Sequence, residues 1–206
     1  LPPVPLPRRM WAGGRLEFIA PLKVGDTITR ESEILSVEPK SGRTGTLVFV
    51  TVRQTIFAGT EKAIVEEQDI VYREAAKKGD PPPPGKLAPA SPQWSRSALP
   101  DAVMLFRFSA LTFNAHRIHY DKDYAIHEEH YSGLVVHGPL QATLLLDLCR
   151  RNSGAPVKKF EYRAQAPIFS GTTFTANGNP DATGSQADLW TADGAGNYGM
   201  RATATF

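Results

Sequence analysis

The chain has 206 residues, a formal net charge of +2, 41% hydrophobic and 21% charged residues. These values fit an ordinary globular protein of one large or two small domains, and give no strong field for nucleic acid or an acidic membrane surface. The lone Cys149 excludes an internal disulfide and a cysteine-based zinc site and favours a reducing compartment, and no apolar run is long enough to span a bilayer.

The proline-rich stretch 1–7 lacks the apolar core of a signal peptide and reads as an extended path. The sequence opens at Leu1, which points to a natural chain that starts earlier. Leu16–Ile19 reads as a short strand, punctuated by Pro21 and Gly25. Thr27–Val37 alternates and is rich in β-branched residues, as a second strand would be. Residues 40–45 form a turn, Leu47–Ile56 gives the strongest strand signal in the chain, and Ala63–Tyr72 returns after a turn at 57–60. Four consecutive strands with short turns make an antiparallel meander.

Residues 77–85 contain four consecutive prolines. Such a run is stiff and cannot donate to a sheet. It suits a spacer between packed units better than a ligand for a proline-binding module. The expected division is a first unit at 1–76, a linker at 77–98 and a second unit at 99–206.

Asp101–Phe108 reads as a further strand. Leu140–Arg151 reads as a helix, closed by Arg150 and Arg151 at its C-terminus and stopped at 152–154. It is apolar on most of its surface, so it should be buried. Strands follow at 158–164, 172–176, 187–192 and 198–206. The stretch 16–29 echoes 160–175: strand, proline, apolar pair, glycine, threonine-rich strand. A duplicated unit follows. The buried helix precedes the second copy, and its counterpart would lie before Leu16, where this sequence has nothing.

All five histidines, His116, His119, His127, His130 and His137, fall within residues 106–140. No other segment gathers so many groups able to exchange protons near neutral pH. The segment ends just before the apolar helix, whose unpaired N–H groups can hold developing negative charge. His127 and His130 flank two glutamates but do not make the HExxH zinc pattern, and read as solvated surface. Residues 194–199 precede a strand, so they read as a hairpin turn rather than a dinucleotide loop. Cys149 reads as a packing residue.

Phe108–Asp121, with Asn114, His116, Arg117 and His119, followed by Gly133–Leu140, resembles the hydratase motif of MaoC-like hot-dog enzymes. The branch it resembles contains mesaconyl-CoA hydratase and the type 2 3-hydroxyacyl-thioester dehydratases. The likeness is sharp over 101–150 and looser elsewhere. It implies an α+β double hot-dog, two antiparallel sheets each wrapping a helix, with the first helix lacking in this sequence. It also implies hydration or dehydration of an enoyl thioester, a CoA or acyl-carrier-protein ester as substrate, a pantetheine tunnel, no metal and no redox cofactor. A cytoplasmic or mitochondrial-matrix homo-oligomer, without nucleic-acid or membrane partners, is expected.

That chemistry needs a base for water, an acid for the α-carbon and a donor for the thioester oxygen. His119 is the expected acid and base. Asn114 stands where the bacterial hydratase pattern has an aspartate; an amide cannot be a general base but can orient water. His116 could carry a proton or brace the loop. Gly138 is the expected oxyanion donor, since it lets a carbonyl approach its N–H at the helix start, with Pro139 in the first turn. His137 either shapes this turn or joins the substrate contacts. Arg117 could meet a substrate carboxylate, or be a surface residue of no special role. Tyr120 and Asp121 should fix the loop. A thioesterase would need a carboxylate base, which Asn114 is not; a non-catalytic thioester-binding subunit is the remaining alternative.

Overall fold

A computed structural model describes residues 1–42, 45–75 and 85–206. The proline run and the tip of the 40–45 turn lie outside the described residues. Strands β1 (Arg8–Phe18), β2 (Ile28–Gly42), β3 (Gly45–Ala58) and β4 (Glu61–Arg73) form the meander. They run longer than the sequence suggests, because alternation persists while side chains are only half buried. Strands β5 (Trp94–Ala98), β6 (Lys159–Ala164), β7 (Phe174–Pro180), β8 (Gln186–Ala192) and β9 (Tyr198–Thr205) form the second half.

All nine join in one antiparallel sheet of order β2-β3-β4-β1-β6-β9-β8-β7-β5. The order is palindromic about β1 and β6: β4 answers β9, β3 answers β8, and β2 answers β7. Leu16 and Phe160, which the internal likeness equates, are register partners across this seam. The duplication is therefore visible as a two-fold relation, and the expected pair of sheets is one continuous double hot-dog sheet.

Helix α3 (Gly138–Asn152) packs against β5, β7, β8 and β9. It buries Leu145, Leu148 and Cys149 against Phe160, Leu189, Met200 and Ala204. Leu16 and Phe18 of β1 extend the same cluster across the seam. In the first half no described helix lies on the sheet. Val4 and Leu6 of the extended N-terminal stretch pack there instead, on Val50, Val52 and Tyr72.

Two expectations change. Asp101–Phe108 is not a strand. It caps and begins helix α1 (Ala102–Leu111), with Asp101 accepting a hydrogen bond from the Met104 N–H at 2.7 Å. A short apolar run rich in aromatics carries either period, and the capping carboxylate decides it. Leu105 and Ser109, one turn apart, form the buried face. The expected linker also ends sooner, since β5 pairs with β7 at the sheet edge. A further short helix, α2 (Lys122–His127), is capped by Asp121. The 194–199 segment is the hairpin expected, with Asp193 accepting from the N–H groups of Ala195 and Asn197 and Gly196 at φ 83°. No described helix is long and apolar enough to cross a membrane.

The seam tolerates no side chain at its Gly13–Gly14 end. A Cβ at Gly13 would lie 2.6 Å from the Tyr162 carbonyl oxygen, and one at Gly14 2.6 Å from the Tyr162 hydroxyl. Gly13→Ala must push β1 off β6, and is expected to cost about 1–3 kcal/mol or more, read as a lower urea midpoint of the whole chain.

Candidate active site

The segment 134–136 is an extended clasp. The Val135 N–H donates to the Ile118 carbonyl, the Val136 N–H to Ile168, and the Ser170 N–H to Leu134. This ties the loop after α1 to the strand-side loop at 168–170. The Val135 carbonyl then accepts from Nδ1 of His119 at 2.8 Å. A carbonyl only accepts, so Nδ1 carries the proton and Nε2 keeps its lone pair. His119 is 7% exposed and His137 fully buried. Their rings stack at 3.7 Å and 19°. His116 meets His119 edge-on at 5.6 Å, and Phe108 leans on His137 at 4.9 Å.

Burial, without a carboxylate partner, keeps both rings neutral. It pulls His119 down to about 4, against the Val135 hydrogen bond and with help from His116. It pulls His137 down to about 3, with His119 and His116 adding to the effect. His116 is also lowered, by burial first and then by Arg9 and Arg8. Those arginines come from the first half. Arg8 pairs with Glu129 and donates to the Glu128 carbonyl at 2.7 Å, which docks the start of β1 onto the turn after α2. Arg9 shares its strand face with Trp11, which packs edge-on against Tyr162 in the core around α3.

Asn114 sits where its side-chain oxygen accepts from the His116 N–H at 3.0 Å. Its amide nitrogen has no hydrogen bond among the described residues. Phe113 just before it adopts a left-handed backbone, φ 52°, which turns the chain out of α1. The Tyr120 hydroxyl donates to the Ala115 carbonyl at 2.9 Å. Arg117 donates to Asp121 at 2.6 Å and stacks on Tyr124 at 4.2 Å. It is thus occupied as a loop brace and does not point to a substrate carboxylate. His127 and His130 are exposed at and beyond the end of α2, away from the stacked rings. Among the described residues no group of three or more His, Cys, Asp or Glu is placed to hold a metal ion.

Helix α3 begins at Gly138, with His137 as its cap and Pro139 in the first turn. The Gly138 N–H finds no acceptor among the described residues. A Cβ there would meet only Met200 at 3.9 Å, so open space lies beside it. The structure thus gathers His116, His119, His137 and Gly138 with Asn114 one turn of loop away.

The chain matches the family described as hydroxyacyl-thioester dehydratase type 2 over residues 1–170. The chain belongs to that family. Its relatives there are hydratases and dehydratases, which are hydro-lyases. It is 49% identical over 189 residues to mesaconyl-C(4)-CoA hydratase of Chloroflexus aurantiacus, covering 92% of this chain and 67% of that protein. It is 30% identical over 193 residues to the mitochondrial hydroxyacyl-thioester dehydratase type 2 of Schizosaccharomyces pombe, covering 81% of this chain and 63% of that one. The chain thus spans about two thirds of the length of these relatives.

Solved structures agree on the fold. A MaoC-like dehydratase from Phytophthora capsici superposes with a TM-score of 0.76 at 15% identity, over 96% of this chain and 68% of that one. HtdX from Mycobacterium tuberculosis gives 0.73 at 18%, over 96% and 76%. A further M. tuberculosis protein, described as having a double hotdog fold, gives 0.63 at 16%, over 95% and 74%.

Sequence reasoning missed Ser109, whose hydroxyl lies 2.8 Å from Nε2 of His137, along with Arg8 and Arg9. Reading 101–108 as a strand hid Ser109; a helical reading would have placed it one turn after Leu105 on the buried face.

The buried neutral rings set a pH dependence. A free imidazole titrates near ~6.5. Between that value and the folded value of about 4 for His119, the unfolded chain binds protons that the folded chain refuses. The unfolding free energy should be full above pH ~6.5 and fall as pH drops through this window. Asp147, held down at about 2 by Arg151 and Arg150, acts only below it. Urea midpoints measured from pH 7.5 to 4.5 should decline, and the His119→Gln, His137→Gln double variant should flatten the slope.

Proposed function

We propose that this chain carries the centre at which water is added to, or removed from, the α,β-bond of an enoyl thioester. The observation that supports this reading best is the His119 tautomer: a buried, neutral imidazole with Nδ1–H tied to Val135 and a bare Nε2. In hydration, Nε2 takes a proton from water as the oxygen bonds to the β-carbon. The electron pair of the double bond moves through the α-carbon onto the thioester oxygen, giving an enolate. The Gly138 N–H, at the positive end of α3, holds that oxygen. The enolate then collapses as Nε2–H returns the proton to the α-carbon, leaving His119 as it began. The steps balance without a metal or redox partner.

Asn114 has its oxygen committed to the loop, and its amide N–H groups have no partner among the described residues. Its role in this reading is to orient the water, while His119 moves the protons. His116 braces the edge of the His119 ring and adds no proton step.

The favoured substrate is mesaconyl-CoA, with 3-hydroxyacyl carrier-protein esters second. The name of the relative at 49% identity supports it, and so does positive charge beside the loop. Arg117 is tied up, but Arg9 makes no ion pair among the described residues and lies close enough to act on His116. It suits a carboxylate on the acyl group. A cytoplasmic or mitochondrial setting agrees with the relatives, one of which is named as mitochondrial. Assembly with further copies would cover the exposed Val103, Phe106, Leu111 and Phe113.

Loss of enoyl-thioester absorbance with crotonyl-CoA or mesaconyl-CoA is the expected activity, and His119→Ala should lower it by about 10²–10⁴. Release of thiol instead of loss of the double bond would make the protein a thioesterase. Binding of both esters with no turnover would make it a non-catalytic subunit. Arg9→Gln should slow mesaconyl-CoA more than crotonyl-CoA; an equal effect on both would remove the carboxylate assignment.

A further inference from the structure

Among the described residues three buried side-chain nitrogens have no hydrogen-bond partner: Nε1 of Trp11, Nε1 of Trp190 and Nδ1 of His137. Only the last belongs to the histidine cluster. His137 is fully buried, caps α3 without using its side chain, and precedes Gly138, so Nδ1 sits at the same helix start as the free Gly138 N–H.

The proton on this ring can be placed by counting partners. Nε2 faces the Ser109 hydroxyl at 2.8 Å, and that hydroxyl makes no other hydrogen bond among the described residues. If Nε2 carried the proton, the serine hydrogen and the bare Nδ1 would both be unpaired. If Nδ1 carries it, the serine donates to Nε2 and one group alone is left over. Buried polar groups are nearly always satisfied, so the arrangement with fewer orphans is favoured. The leftover group is then a donor. A donor left without a partner beside a second free donor is what a hole for a developing oxyanion requires.

We propose that Ser109 fixes the tautomer of His137, and that the resulting Nδ1–H joins the Gly138 N–H in holding the thioester oxygen. Ser109 is the positioning residue and His137 the catalytic one. The oxygen-binding half of this rests on the hydratase reading, since it needs a thioester at the start of α3; the tautomer half does not. The low proton affinity of His137 fits, because a neutral ring donates here without bringing a charge next to His119. The stacked geometry with His119 holds both rings in one orientation, so that the base and the second donor stay in register.

Two readouts test it. Nitrogen-15 spectra of the imidazoles in the substrate-free protein should show His137 protonated at Nδ1, and Ser109→Ala should shift it toward Nε2–H. Bound hexadienoyl-CoA should absorb at longer wavelength than in water, because donors polarise its carbonyl. Ser109→Ala should shrink that shift and lower kcat about tenfold with little change in KM. His137→Asn, whose amide nitrogen stands near the place of Nδ1, should keep most of the shift, and His137→Gln should lose it with a fall in kcat of ~10²-fold. An Nε2–H tautomer in the unmodified protein overturns the proposal. So does an undiminished wavelength shift in Ser109→Ala, whatever the glutamine and asparagine variants do. If the tautomer is as stated but no ester is hydrated, the hydratase reading fails and the role of Ser109 in the ring stands.

Discussion

The antiparallel pairing of β1 with β6 is the constraint on which the molecule turns. It makes two meanders into one sheet and sets Leu16 against Phe160 on the axis between them. It also fixes what is near what. Beyond Gly13, toward its N-terminal end, β1 no longer pairs with β6. There its first residues reach the loop after α2 instead, through Arg8 and Glu129. One half of the duplication thus supplies charge to a site built almost wholly from the other. The close approach at the seam needs Gly13 and Gly14, because the backbone and hydroxyl of Tyr162 fill the space where side chains would stand.

The two halves have diverged in what covers their inner face. In the second half α3 lies across the sheet and buries the main core. Val50, Ile70 and Trp11 are lateral neighbours in the first half, and Trp11 packs into the same core through Tyr162. Hence the small cluster under Val4 and Leu6 is on the face that α3 occupies next door. A thin extended segment there leaves much of the first half's sheet only half buried. Ile34 and Val37 on the edge strand remain close to half exposed.

Most strands were legible because alternation and β-branching act locally, and the echo of 16–29 in 160–175 marked the duplication; β5, inside the expected linker, and the pairing of β1 with β6 into one sheet were not. The buried helix and its start at Gly138 were legible from apolar content and Pro139. The strand expected at 101–108 failed because a short run such as Val103–Phe108, apolar but for Arg107, fits either period, and the deciding contact is one hydrogen bond from Met104 to Asp101. His119, His137 and Gly138 could be named from pattern alone, but not the link from Ser109 to His137 nor the clasp at Val135. Those depend on how α1, the loop and the extended segment meet, which no local spacing records. Arg117 shows the converse: a plausible substrate contact in the sequence is, in the fold, a brace between Asp121 and Tyr124.

The cluster has an electrostatic peculiarity that bears on catalysis. Three imidazoles lie together and burial disfavours the charged form of each; His116 adds to this at His119, His119 and His116 add to it at His137, and at His116 the added charges, Arg9 and Arg8, are also positive. A hydratase with an aspartate beside its histidine would stabilise the imidazolium in the resting enzyme. Asn114 cannot. In the proposed reaction the only negative charge to appear near His119 is the enolate oxygen, and it appears as the proton arrives. The base is therefore poor in the ground state and is stabilised by the intermediate it helps to form. Interactions that exist only as the transition state is approached raise kcat rather than tighten substrate binding. On this view the amide at 114 and the absence of a carboxylate partner are not losses from an acid–base pair. They remove ground-state stabilisation that would otherwise be shared equally by every step.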